Sequence, residues 1–317
     1  GLVVVDTFSH WSLFGQLVIL TMIQIGGLGF ITIGVTVSML LRKKIGLAQR
    51  GLIRESLNII ELSGMVRLTK RIVIGTLFFE LTGALILALC FIPKMGLLQG
   101  IYYGIFHSIS AFCNAGFDIL GTENNLYPSL TGYTGNPIIN ITIMLLIVIG
   151  GIGFLTWDDI CEHKWHFHRY RVQSKVILVI TGFLIVVPAA FFFFEDFSAL
   201  PTGTQLLVSF FQSVTTRTAG FNTVALSAMS GASKGIMILL MLIGGAPGST
   251  AGGMKTTTLG VLLANAVATF RQRDNAQFFK RRIDCNTVKT ASTILTMYLT
   301  LFFGGGIFIR VYEHLPL

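Results

Sequence analysis

Long apolar runs separated by short clusters of basic residues constrain this chain more than any other feature. Residues 12–41, 73–91, 137–157, 176–194, 234–270 and 290–311 are each mainly apolar. Each is about long enough to cross a bilayer, for which roughly 20 residues suffice. The basic clusters fall between them, at 42–71, 158–175 and 271–289. With 53% hydrophobic and 12% charged residues, against about 25% charged in a soluble domain, the chain cannot cover itself with polar side chains. A lipid bilayer is the expected solvent, and the expected fold is an all-α integral membrane protein. The net charge of +9 does not point to nucleic acid, because the cations sit in membrane loops rather than on one face. If each long run spans and each shorter one re-enters, the basic loops share one side, and the positive-inside rule makes that side cytoplasmic. The expected location is therefore the cell membrane, crossed several times.

Within 234–270 the apolar pattern is interrupted by Gly244-Gly245-Ala246-Pro247-Gly248-Ser249-Thr250-Ala251-Gly252-Gly253-Met254-Lys255-Thr256. Five glycines and a proline make regular helix fail there. A phosphate-cradling loop is excluded on two grounds. Met254 breaks the spacing between the last glycine and Lys255, and the flanks are membrane helix rather than strand and helix of an α/β sheet. Two readings remain, a close-packing site of small residues and a mobile loop within the membrane, and the second fits the run of glycines better.

Two further segments, 101–113 and 204–216, are apolar but too short to span, as re-entrant pieces are. The first ends in Asn114-Ala115-Gly116-Phe117-Asp118, the second in Thr218-Ala219-Gly220-Phe221-Asn222. Each is followed by a long run with its own glycine cluster, Gly150-Gly151-Ile152-Gly153-Phe154 in one and the 244–253 stretch in the other. The order span, re-entrant helix, Gly-Phe turn, span thus occurs twice in full, over 73–157 and 176–270. Residues 1–41 fit the end of such a unit, with Gly1 as its turn glycine ahead of Gly26-Gly27-Leu28-Gly29-Phe30. Residues 290–317 fit the start of another. Four units around a common axis are implied, with this chain expected to lack the first span of one and the last turn and span of another.

Such a repeat suggests a pore. A half-membrane helix aims its negative C-terminal end at the bilayer centre. The irregular turn after it is tolerated only where it lines a watery cavity. A ring of its carbonyls can replace the hydration shell of a cation, and glycine permits the required backbone angles. No Ser-His-Asp or Cys-His arrangement suggests enzymatic catalysis. Cys90, Cys113, Cys161 and Cys285 lack the spacing of a metal site or disulfide framework.

These turns, above all Thr216-Arg217-Thr218-Ala219-Gly220-Phe221-Asn222 and Gly-Ala-Pro-Gly-Ser-Thr-Ala-Gly-Gly-Met-Lys-Thr at 245–256, resemble the Trk/Ktr/HKT superfamily of potassium transporters. The membrane subunits of the bacterial Ktr systems are the nearest likeness, and the resemblance runs the length of the chain. It implies tandem M1–pore helix–M2 repeats and a potassium selectivity filter of backbone carbonyls. Gly1, Gly116 and Gly220 would be filter glycines, with Asn114, Ala115, Thr218 and Ala219 lending carbonyls. It also implies a gate formed by the loop 244–253, with Gly244, Gly245, Gly248, Ser249, Thr250, Gly252 and Gly253 in it and Lys255 beside it. By the same resemblance the protein forms a homodimer, binds a cytosolic RCK-type ring that senses ATP and ADP, has potassium as substrate and sodium as activator, and holds no bound cofactor. A cation-coupled secondary transporter is the alternative, although its repeats are usually inverted. A non-conducting membrane scaffold for a cytosolic partner is a third reading.

Several side chains carry more than one reading. Lys255 either snorkels to the cytoplasmic face or interacts with the loop. Arg217, three residues before Gly220, would repel potassium if it faced the pore, so a structural role behind the filter is expected, with carbonyls or an acid as partner. Glu80, alone in its span, is a candidate buried partner for a cation. Asp6 and Asp118 either gather cations at the outer mouth or are simple loop acids. Glu162, His163, His166 and His168 read better as an interfacial segment with Trp165 and Phe167 than as a metal cluster.

Overall fold

The computed structural model describes residues 3–29, 65–122 and 125–313. Gly1, the second half of the first apolar run, most of the basic loop 42–71 and the last four residues lie outside the described residues.

Helix α1 (Thr7–His10) is a single turn, and α2 (Leu13–Leu28) follows it. The Ser12 hydroxyl accepts from the Gly15 N–H at 3.3 Å and so caps α2. Gly29 ends α2 with φ 82°, a conformation open to glycine at little steric cost. Helix α3 (Met65–Met95) begins before the predicted start at 73. Arg67, Lys70 and Arg71 are good helix formers, so the change in polarity there marks the membrane boundary and not the helix end. Only Gly96 separates α3 from α4 (Leu97–Phe112), which also starts earlier than expected.

Glycine sets how closely these two helices meet. A Cβ on Gly100 would lie 2.7 Å from the Ile92 backbone, and one on Gly104 would lie 2.6 Å from the Ala84 carbonyl oxygen. Small residues allow backbones to touch in this way within a membrane. Gly104→Leu is therefore expected to push α4 off α3 and to lower stability by about 2–3 kcal/mol, the upper range for overpacking. A thermal melt of purified protein in detergent checks this, and an unchanged Tm would contradict the close approach.

Helix α5 (Pro137–Gly151) opens with Asn136, whose side-chain oxygen accepts from Ile138 N–H at 3.1 Å and Ile139 N–H at 3.2 Å. Proline at its first position needs no helical N–H partner. The predicted span 137–157 is not one straight helix. It bends by 97° at Ile152 and Gly153 into α6 (Phe154–His163), with Gly153 at φ 87°. Helices α7 (Val172–Glu195) and α8 (Thr202–Thr215) match the fourth span and second short segment. The 234–270 run divides, as its glycines require, into α9 (Gly231–Leu242) and α10 (Thr256–Phe270). The last span becomes α11 (Cys285–Glu313). Between α10 and α11, where only a polar loop was predicted, strands β1 (Gln277–Phe278) and β2 (Arg281–Arg282) pair antiparallel.

Among the described residues, α3, α7 and α11 are long and apolar enough to cross a membrane, and the bent α5–α6 pair makes a fourth candidate. Their outer faces fit lipid: Leu77, Leu81, Leu85 and Leu89 on α3 and Val179, Phe183 and Val186 on α7 are all exposed. A continuous apolar face of this kind is not stable against water. The short helices sit in equivalent places. Helix α4 packs against α3 and α5 and also against α2, while α8 packs against α7 and against α5. Each short helix thus touches the span before it and the final span of the preceding unit. Phe91, Phe106, Phe112, Ile119, Ile139, Phe211 and Phe221 are fully buried in one core shared by both units.

Candidate functional site

The turns after α4 and α8 have the same backbone signature. Asn114 and Gly116 have φ of 53° and 68°, and Thr218 and Gly220 have φ of 79° and 90°. Left-handed backbone therefore recurs at the glycine and two residues before it, in both segments. The glycines were expected from the sequence. The non-glycine partners were not, and for a β-branched residue such as Thr218 this conformation is rare, costing on the order of 1–3 kcal/mol. The positions are held from behind. The Ser110 hydroxyl donates to the Phe117 carbonyl at 2.6 Å, and the Thr215 hydroxyl donates to the Phe221 carbonyl at 2.7 Å. The Ala115 and Gly220 N–H groups bond the carbonyls of Ser110 and Thr215 at 2.9 and 3.0 Å. The chain segments leaving the two turns are also joined, since Leu130 N–H donates to the Asn222 carbonyl at 2.8 Å and Asn222 N–H to the Ser129 hydroxyl at 2.9 Å.

The glycine stretch forms a loop whose ends are pinned together. Gly244 N–H bonds the Met254 carbonyl at 2.8 Å, and Met254 N–H bonds the Leu242 carbonyl at 3.2 Å. A Cβ on Gly244 would collide with the Gly252 carbonyl. Gly248 and Gly253 take φ of 60° and 71°. Within the loop, the Ser249 hydroxyl donates to the Ala246 carbonyl at 2.6 Å. The loop then docks on the bend of α5. Ala246 N–H donates to the Gly151 carbonyl at 2.8 Å, Thr250 N–H to the Gly150 carbonyl at 3.1 Å, and Phe154 N–H to the Gly248 carbonyl at 2.8 Å. The two glycine clusters noted separately in the sequence are thus two sides of one contact. The bend exposes the carbonyls at the end of α5, and the loop supplies their donors.

One side-chain pair joins this loop to the turn after α4. The Thr250 hydroxyl donates to the Phe112 carbonyl at 2.8 Å and accepts from the Asn114 amide nitrogen at 2.9 Å. The same amide lies 3.3 Å from the Ile147 carbonyl. Sequence reading placed Asn114 in one site and Thr250 in another, and nothing in their spacing of more than a hundred residues joined them.

The isolated charges separate cleanly. Lys255 is half-buried, and its ammonium donates to the Ala251 carbonyl at 2.8 Å, so it engages the loop. Arg217 is buried, with Asn114, Thr181, Gly245 and Ala251 around it. Of the two expected kinds of partner, carbonyls or an acid, no acid pairs with it among the described residues. Glu80 instead accepts from the Gln24 amide at 2.9 Å, tying α3 to α2. Asp6 caps α1 through the N–H groups of Phe8 and Ser9 and also accepts from Tyr127 N–H at 3.1 Å, a structural role. Burial raises its carboxyl, but the donors of Ser9, Tyr127 and Phe8 outweigh that and leave it below the usual carboxylate range. Asp118 accepts from Leu120 N–H at 3.2 Å. His163 packs its ring against Tyr170, and His166 and His168 are exposed.

The family model for TrkH, described as a cation transport protein, matches residues 1–312. The potassium/sodium uptake protein NtpJ of Enterococcus hirae is 37% identical over 324 residues, covering 100% of this chain and 70% of that protein. Ktr system potassium uptake protein B of Bacillus subtilis is 36% identical over 323 residues, with 100% and 71% covered. The protein of that name from Vibrio alginolyticus is 34% identical over 305 residues, with 94% and 66% covered. Among solved structures, the potassium transporter TrkH of Vibrio parahaemolyticus superposes with a TM-score of 0.65 at 17% identity, over 83% of this chain and 55% of that one, which shows a shared fold. The chain thus spans roughly two thirds of the length of these curated relatives and about half of the solved one.

Proposed function

The chain belongs to the TrkH family of cation transport proteins and serves potassium uptake across the cell membrane, and we propose that the ion passes between the turns at 114–116 and 218–220 and is gated by the loop at 244–253. The observation that carries this reading is the repeated backbone signature of the turns. Two segments far apart in sequence adopt left-handed conformations at matching positions, each at the end of a short helix. Backbone carbonyls are the groups such turns can offer, and they suit a dehydrated monovalent cation.

In this reading Asn114, Ala115, Gly116, Thr218, Ala219 and Gly220 form two of four filter turns, and Gly1 belongs to a third. The units 73–157 and 176–270 are successive repeats, flanked by the partial units 1–41 and 290–317. Glycine lets the 244–253 loop change shape, and Lys255 stabilises one of those shapes through the Ala251 carbonyl. Sodium is proposed as a second cation or activator, in line with the name of the Enterococcus hirae relative. A homodimer and a cytosolic nucleotide-sensing ring bound to the basic side are proposed as partners. Uptake of rubidium-86 into liposomes holding the full-length protein tests the transport reading. Uptake well above that of protein-free liposomes, and suppressed by added potassium, is expected. Its absence in correctly folded protein would remove the filter assignment and favour a scaffold.

A further inference from the structure

Beside the gate loop, on the side of the basic 158–175 segment, the structure has an open cavity of about 790 Å³. Its wall carries Arg169, Arg171, Lys175, Arg281 and Arg282, and among the described residues no Asp or Glu lines it. Only Arg171 among these has a carboxylate near it among the described residues, with Asp158 at 3.8 Å and Asp159 at 3.6 Å. Lys175 is held in place by the His168 carbonyl at 2.7 Å and lies over the rings of Phe167 and Phe279. Arg169, Lys175, Arg281 and Arg282 have no carboxylate paired to them among the described residues, so the space is positive and attracts an anion.

Backbone dipoles add to the same field. Val172, Gln173 and Thr257 also line the cavity, and they belong to the first turns of α7 and α10. Neither helix is capped by its own N-cap side chain, although at α7 Asp159 accepts from the Arg171 N–H at 3.0 Å and from the Ser174 hydroxyl, and at α10 the Thr256 N–H donates to the Gly245 carbonyl at 3.1 Å. The first N–H groups of a helix have no intrahelical acceptor and lie at its positive end, so an anion placed there is stabilised. Two helix starts and an arginine pair carried on a tight hairpin therefore converge on one space. The hairpin fixes that pair: β2 holds Arg281 and Arg282 opposite β1 through the register Phe278↔Arg281 and Gln277↔Arg282.

We propose that this cavity binds a phosphate-bearing anion. Phosphate matches the planar donors of arginine and the N–H groups of a helix start. The group can come from an anionic phospholipid headgroup or from a soluble phosphate. Pro247 of the gate loop is part of the same wall, so an occupant touches the loop that the transport reading treats as the gate. The site itself rests on the cavity and its charges and does not depend on that reading.

The test uses the full-length protein in a neutral detergent, with calorimetric titration of dioctanoyl phosphatidylglycerol in one arm and inorganic phosphate in the other. Saturable binding in at least one arm is expected, and the arm that binds identifies the source. The Arg281→Gln/Arg282→Gln pair is expected to weaken binding about 10- to 30-fold, from the usual contribution of two basic residues near an anionic headgroup. Arg271→Gln/Arg273→Gln removes the same charge outside the cavity and should bind as the native protein does. No binding in either arm, or equal weakening by the two double variants, overturns the proposal. A melting curve reports whether each variant is folded, and if the first pair is not, Arg169→Gln replaces it with the same expected direction. Because the readout is binding, failure here and failure of rubidium uptake are separate results.

Discussion

Replacing Gly220 by serine is expected to remove most of the preference for potassium over sodium while leaving the protein folded. Gly220 has φ of 90°, further into the positive region than any other described residue. An L-residue placed in left-handed backbone costs about 1–2 kcal/mol, and Thr218, two positions earlier, already carries such a strain at φ 79°. The turn has little freedom to absorb a second one, because the Thr215 carbonyl and hydroxyl hold it on both sides, at Gly220 N–H and at the Phe221 carbonyl. Relaxation has to come from rotation of the peptide groups at Thr218 and Ala219, which are the carbonyls proposed to face the ion. A selective site loses about tenfold in discrimination for each 1.4 kcal/mol of lost differential binding, so a decrease of about 5- to 30-fold is expected. Rubidium-86 uptake competed by sodium or potassium gives the ratio directly. If Gly220→Ser keeps the native ratio, the turn is not a filter, whatever happens to the total flux.

Much of this architecture was legible because a membrane leaves few alternatives. Apolar length marked the spans that became α3, α7 and α11, and the shorter segments at 101–113 and 204–216 marked the short helices α4 and α8. The glycine stretch had to break its helix, and α9 and α10 flank that break. Boundaries were less legible. Helix α3 extends to Met65 because arginine and lysine continue a helix as readily as apolar residues do. The bend at Gly153 was marked only by a glycine cluster, and such clusters also occur in straight membrane helices packed closely together. The β1–β2 hairpin gave no signal at all, because its turn is Phe279-Lys280, with φ of 45° and 65°, where asparagine and glycine are the usual residues. At the candidate site, glycine announced Gly116 and Gly220, but the left-handed Asn114 and Thr218 follow from the fold, as does the contact of Asn114 with Thr250. Pairing between distant segments depends on how helices pack, and a single sequence does not state it.

Thr250→Val is expected to raise ion flux. The substitution keeps the shape of the side chain and removes only the hydroxyl that donates to the Phe112 carbonyl and accepts from the Asn114 amide. The loop's backbone bonds to the α5 bend, at Ala246, Gly248 and Thr250 itself, and that of the Gly245 carbonyl to Thr256 N–H are left intact by the substitution. Lys255 bonds a carbonyl within the loop, so it shapes the loop without anchoring it to the turn after α4. The hydroxyl is part-buried, and without it the Asn114 amide keeps the Ile147 and Phe112 carbonyls as partners, so its loss costs about 0.5–1.5 kcal/mol. If that cost falls on the docked, closed loop alone, the closed state loses occupancy by about 2- to 12-fold, and rubidium uptake rises accordingly. Asn114→Gly provides the second arm, since glycine accepts the backbone angles at that position and lacks the amide. If both substitutions act through the one bond, the double variant should exceed neither single variant, as coupled neighbours do. Flux that is unchanged or reduced in folded Thr250→Val protein would show that the loop is not held shut there. Additive effects would separate the two residues, and the coupling of gate to filter would have to run through the Gly150 and Gly151 carbonyls instead.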